Sequence, residues 1–241
     1  MGGKNKKKKG RFVEYALAIL WLFSAGLGGF FVPHFTDSIP FFKVKRVYVE
    51  GTETIPPALI AEEISRLKNN WIFINSGILF SNINKKTGNA VKNVKLERIF
   101  TREGVELRVK IEERKPFVTV IRDGDVIFFD RDGFSFQSPY TDQTEPLFYT
   151  HDLELIKENF DSVKYIMEVI GRVEHISEAY VTNINTLIYT KEGLKIVLPS
   201  LVSLEKEDVN RILKVYNIGM GVREIDLSNH GFAIIRGGDM K

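Results

Sequence analysis

Cysteine is absent from this chain of 241 residues. No disulfide framework, thiolate nucleophile or cysteine-held zinc can therefore be built from it. Histidine is nearly as scarce. His34, His151, His175 and His230 lie far apart, and no two fall at the i,i+3 or i,i+4 spacing of helical metal ligands. There is no Gly-x-Ser-x-Gly, no Ser-x-x-Lys and no glycine pattern of the kind that cradles phosphate. Asp130-Arg131-Asp132-Gly133 is similar to the start of a calcium loop, but the third acidic position and the distal glutamate are missing. It reads instead as a turn between strands. Carboxylates are spread singly along strand faces, so a glycosidase-type pair has no support. The sequence assigns no catalytic residue, no metal site and no cofactor.

A charge excess is also lacking from most of the chain. The formal net charge is +3, with an isoelectric point near 8.9, but the distribution is uneven. Lys4, Lys6, Lys7, Lys8, Lys9 and Arg11 stand within the first 11 residues, and only Glu14 opposes them nearby. Everything after Val32 is slightly acidic, so the basic isoelectric point describes the tail and gives no warrant for a nucleic-acid surface.

A long apolar run adjoins the basic tail. Tyr15 to Val32, YALAILWLFSAGLGGFFV, has no charged residue. At ~1.5 Å per helical residue, such a run covers most of a ~30 Å hydrocarbon core. Residues 1–11 read as a basic cytoplasmic tail and 12–33 as a transmembrane helix. The next basic residue is Lys43, so the positive-inside bias places the N-terminus in the cytoplasm and the bulk outside. A cleaved signal peptide is the rival reading. The run continues through Phe30, Phe31 and Val32 without a clean A-x-A site, which favours an anchor. Ser24/Gly28 and Ala25/Gly29 are small-xxx-small pairs that let a partner helix approach closely in the membrane; a glycine-rich helix end without a partner fits the same residues.

Residues 41–113 predict a β-α-α-β-β unit. Phe42 to Val49 reads as a strand whose apolar phase slips at Lys45-Arg46, as a bulge would produce. Thr54 caps a helix with Pro56 and Pro57 in its first turn, Ile60, Ile64 and Leu67 inward, and Glu62 and Glu63 outward. A shorter helix over Ser76 to Lys86 presents Leu79, Phe80 and Ile83. Val94 to Phe100 and Val105 to Glu112 then form a hairpin, and the second strand alternates Val105, Leu107, Val109 and Ile111 with charged residues.

Residues 114–236 predict a second domain, an antiparallel sheet with two helices. Pro116 breaks strand pairing over 113–117. Asp123-Gly124 marks a two-residue hairpin. Asp152 caps a helix carrying Leu153, Ile156, Phe160, Val163, Met167 and Ile170, which Gly171 stops. Strands come next around Val181, Leu187 and Ile196, then a helix opened by Ser203, then Ile225-Asp226-Leu227 and a final strand, Phe232 to Arg236. The fold class is α+β.

Taken in order, FKVKRVYVEG at 42–51, ELRVKIEERKPFVTV at 106–120, VIFFDRDGFSF at 126–136, EGLKIVLP at 192–199 and EIDLSNHGFAII at 224–235 resemble the FtsQ/DivIB family of bacterial cell-division proteins. With the basic tail and single helix, the resemblance covers nearly the whole chain. It departs from the family pattern at Asn89-Ala90-Val91 and at the final turn, Asp226-Leu227-Ser228-Asn229. The resemblance implies a POTRA domain over 41–113, a β domain over 114–236, and a scaffold in the inner membrane at the division septum. It implies FtsB/DivIC-like and FtsL-like partners, with the septal synthase pair FtsW/FtsI as a further one. The expected partner-binding residues are Gly231, Phe232, Ala233, Ile234, Ile235 and Arg236, because the family adds a partner strand to its last strand and little comes after it to cover this edge. A membrane-anchored cell-envelope enzyme, such as a peptidoglycan hydrolase with a POTRA-like positioning module, is the reading from another class. It needs a clustered nucleophile, metal or carboxylate pair.

Overall fold

The computed structural model describes residues 6–38, 43–67, 74–217, 221–229 and 231–237, with side chains of the first helix described over 13–31. That helix, α1 (Lys6–Ser38), is longer at both ends than the apolar run. Its 33 residues amount to about 50 Å at ~1.5 Å each. The stretch Val13–Phe31, with mean hydropathy 1.5, is long and apolar enough to span a membrane, and none of it is buried within the protein. The remainder is mixed α and β structure, and its contacts divide the chain into two units: Met1–Thr52 with Pro56–Asn82 and Asn93–Ile111, and Glu53–Ile55 with Ile83–Lys92 and Glu112–Lys241.

The first unit holds a three-stranded sheet. Its elements are β1 (Val44–Glu50), α2 (Pro57–Leu67), most of α3 (Ser76–Thr87), β2 (Val91–Thr101) and β3 (Gly104–Glu113). The strand order is β1-β3-β2, with β1 parallel to β3. The register of β1 slips between Val44 and Arg46, where the apolar phase of the sequence breaks. Val105, Leu107, Val109 and Ile111 are all buried, as their alternation requires. Asn75 caps α3, its Oδ1 accepting from the Ile78 amide at 2.8 Å. One expectation fails here. Glu63 is only 5 % exposed, whereas Glu62 is exposed, because Glu63 lies about one turn after Ile60 and next to Ile64 and so shares their inward stripe on α2. Trp71 to Phe73 lie outside the described residues.

The second unit is a nine-stranded sheet. It contains β4 (Val118–Arg122), β5 (Asp125–Phe129), β6 (Ser135–Phe136), β7 (Leu147–Tyr149), β8 (Ile176–Val181), β9 (Asn185–Thr190), β10 (Lys195–Pro199), β11 (Val222–Asp226) and β12 (Ile234–Gly237). The order is β12-β11-β10-β9-β8-β7-β4-β5-β6. Asp123 (φ +52°) and Gly124 (φ +94°) close the β4–β5 hairpin with the two positive φ angles of a primed turn. The expected antiparallel sheet is instead mixed. β4 and β7, β7 and β8, and β10 and β11 run parallel. For β7–β8 and β10–β11 the cause is a strand–helix–strand crossover, which returns the chain in its starting direction. β7 runs parallel to β4 after the two reversals at β5 and β6 and the loop that follows them.

Those helices number three rather than two among the described residues. α4 (Leu153–Glu158) and α5 (Phe160–Ile170) part at Asn159, whose backbone leaves the helical region and whose side-chain amide donates to the Leu155 carbonyl. Asp152 does cap α4, its Oδ1 accepting from the Glu154 amide at 3.1 Å. α6 (Lys206–Tyr216) is capped by Glu205 with Asp208, not opened by Ser203. All three helices cover one sheet face, where Phe148, Ile156, Ile166, Ile188, Ile196, Ile212 and Ile225 form a continuous core. The other face carries Tyr149 stacked on Tyr180 at 4.9 Å, with Tyr189 edge-on to Tyr180 at 6.0 Å.

Glu113, the last residue of β3, fixes the segment before α2. Its carboxylate accepts from the amides of Glu53 (2.9 Å), Thr54 (2.9 Å) and Ile55 (3.0 Å), and from the Thr54 hydroxyl (2.7 Å). Thr54 is thus committed to Glu113. Burial is the largest influence on this carboxyl and pushes its pKa up, but the four hydrogen bonds together outweigh it and hold the group below its usual range. A depressed carboxyl pKa stabilises the folded state above the unfolded value, and that contribution is lost as pH falls through the folded value. Glu113→Gln should therefore lower Tm by roughly 3–6 °C at neutral pH, since bonds to a charged acceptor are the stronger ones. The gap between variant and wild type should shrink below pH ~4. Thermal unfolding of both across that range checks it, and a gap constant with pH would mean the charge is unimportant.

Candidate partner-binding edge

The end of the chain forms one margin of the nine-stranded sheet. β11 is anchored from beneath by Ile225, which is fully buried, and is paired in parallel with β10. β12 runs back antiparallel to β11, with Ile234 opposite Asp226, Ile235 opposite Ile225 and Arg236 opposite Glu224. Among the described residues β12 has a strand on one side only.

The six expected residues divide between turn and strand. Gly231 lies in the turn after β11, and the Phe232 amide bonds to the Asn229 carbonyl at 3.3 Å. Phe232 and Ala233 lead into the strand, and Ile234, Ile235 and Arg236 lie within β12. The described strand begins two residues later than the sequence suggests, because the turn consumes Phe232 and Ala233. Every residue from Gly231 to Gly237 is exposed, including Phe232 at 76 %, Ile234 at 47 % and Ile235 at 44 %.

Register assembles a charged ladder that primary sequence conceals. Lys195 on β10, Glu224 on β11 and Arg236 on β12 stand in one cross-strand row. Glu224 accepts from Lys195 at 3.0 Å and from Arg236 at 2.9 Å. The Lys195 ammonium, and then the Arg236 guanidinium, hold the Glu224 carboxyl below its usual range. Next to the turn, burial raises the Asp226 pKa, but the Ser228 hydrogen bonds and the nearby cations bring it below the usual range. The ladder fixes the β12 register without covering its outer side. Such a margin offers main-chain donors and acceptors to an incoming strand, with apolar side chains on both faces.

The small-residue pairs of α1 lie where the sequence puts them, one turn apart on an exposed helix. An added Cβ at Gly28 or Gly29 would meet nothing within 4 Å. The Ser24 hydroxyl, however, bonds to the Trp21 carbonyl of its own helix at 2.9 Å.

Two carboxylates of the loop after β5 are committed to structure. Asp130 holds a turn and pairs with Arg114, and Asp132 pairs with Lys92. His151 lies 3.0 Å from Asp123, but its side chain is 97 % exposed. Among the described residues, no group of three or more histidines, cysteines or carboxylates is gathered as metal ligands would be. A groove of about 420 Å3 between α5 and α6 is lined by Asp161, Lys164, Tyr165, Glu168 and Lys206, whose charges are mixed.

No family model matches the chain. A protein of Aquifex aeolicus (strain VF5), itself uncharacterized, is 20% identical over 206 residues, covering 83% of this chain and 88% of that one.

Proposed function

We propose that the chain is a membrane-anchored scaffold of the FtsQ/DivIB kind. In this reading α1 crosses the inner membrane with its N-terminus in the cytoplasm, and both folded units lie outside at the division septum. The β-α-α-β-β order of the first unit supports its assignment as a POTRA domain. The observation that carries the reading is β12, which among the described residues has one free margin and no buried side chain. FtsB/DivIC-like and FtsL-like single-pass proteins would supply the added strand, and through them the chain would help to recruit or regulate septal peptidoglycan synthesis, including the FtsW/FtsI pair.

Strand addition rests on main-chain hydrogen bonds, so many side-chain changes in β12 should be tolerated. Proline should not be, because it removes a donor and obstructs an added strand. Ile234→Pro should reduce capture of the FtsB-like partner by about tenfold or more, whereas Ile234→Thr should leave most of it. The measurement is co-purification with the full-length chain, with circular dichroism establishing that each variant is folded. Equal recovery by a folded Ile234→Pro chain removes β12 from the partner site.

A further inference from the structure

We infer that the N-terminal turns of α1 form a collar that gathers acidic phospholipid headgroups; the inference rests on the reading of α1 as a membrane span. The apolar stretch begins at Val13, yet the helix begins seven residues earlier at Lys6. Those seven residues rise about 10 Å along the axis. Headgroups occupy roughly 5–8 Å on each side of the hydrocarbon core. Positions 6–11 therefore fall at headgroup depth and just beyond it. They are Lys6, Lys7, Lys8, Lys9, Gly10 and Arg11, with five formal positive charges and no negative one.

Two features point to lipid rather than to a docked protein. Consecutive helical positions step by ~100°, so four lysines in succession occupy positions all around the axis. A protein partner reads one face of a helix; a ring of small anions suits charge distributed around it. The second feature is the asymmetry of the helix ends. The last turn of α1 has no basic residue, and Asp37 lies within it. Only the lysine end is suited to an anionic surface, where each basic residue adds to attraction that fades within a screening length. The backbone of these positions is already helical, so ordering a loose tail against the surface is not required.

Full-length protein reconstituted into phosphatidylcholine bilayers, with trace spin-labelled phosphatidylglycerol or phosphatidylcholine as the probe, tests this. The readout is the motionally restricted lipid at the protein surface. Phosphatidylglycerol should associate about threefold or more in excess of phosphatidylcholine at low salt, and the excess should vanish near 1 M salt, where the screening length is ~3 Å. The variant with Lys6→Gln, Lys7→Gln, Lys8→Gln and Lys9→Gln should lose most of the excess while restricting as much phosphatidylcholine as wild type. Restricted lipid without headgroup preference overturns the collar and leaves the span intact. A preference that survives the glutamine variant overturns it too. If neither lipid is restricted, the span itself fails, and the collar with it.

Discussion

Asp130→Ala should lower the unfolding free energy of the full chain by about 3–5 kcal/mol, the cost of stranding a buried charge. Asp130 and Arg114 are both nearly inaccessible. One Asp130 oxygen accepts from the amides of Asp132 (3.0 Å) and Phe134 (2.9 Å), and the other binds the Arg114 guanidinium. That guanidinium lies over the Phe134 ring, 3.7 Å from its centroid. Removal of the aspartate leaves Arg114 without its counter-ion and opens the turn after β5. Arg114→Met should cost less, because Asp130 keeps its two backbone donors. The double variant should fall well short of the sum of the singles, as expected for contacting partners. Denaturant unfolding in detergent, followed by circular dichroism, provides all three values. A loss below ~0.5 kcal/mol for Asp130→Ala would mean the site behaves like ordinary surface.

Phe148→Ala should be comparably severe, at about 3–5 kcal/mol, because a fully buried aromatic is replaced by a cavity. Phe148 is the central residue of β7 and is inaccessible. β7 joins β4 on one side to β8 on the other, and no other described strand links β4–β6 to β8–β12. Phe148→Leu keeps most of the volume and should lose far less. The neighbouring Leu147→Ala and Tyr149→Ala, on the half-buried opposite face, should also cost less. Similar losses at all three positions would contradict a strand with one inward residue.

β7 is also where the sequence was least informative. Leu147-Phe148-Tyr149 is apolar throughout and only three residues long, so it shows no period. Its pairing is parallel on both sides, with partners set by a long loop from β6 before it and a helical crossover to β8 after it rather than by a turn signal. Local patterns were legible where a single physical cause dominates. Alternation in β3, the Asp123-Gly124 turn, the Asp152 cap and the phase slip in β1 each leave a mark within a few residues. The burial of Glu63 and the break at Asn159 depend on what the rest of the chain places beside them. The candidate site divides in the same way. A terminal strand can be read from Phe232-Ala233-Ile234-Ile235, but the Lys195–Glu224–Arg236 ladder joins three strands, and only their register brings those residues together.

The parallel pairing of β1 with β3 imposes a timetable on synthesis. Arg46 meets Glu106, a partner 60 residues further along the chain. At ~5–20 residues per second, a ribosome needs roughly three to twelve seconds to make that interval. Throughout this wait β1 follows α1 with its neighbour not yet made. Its sequence bears the protection such a wait demands: Lys45 and Arg46 break its apolar phase and are exposed in the finished sheet. The bulge that opens β1 therefore serves the nascent chain as well as the folded one, discouraging union with a stranger before the proper strand arrives.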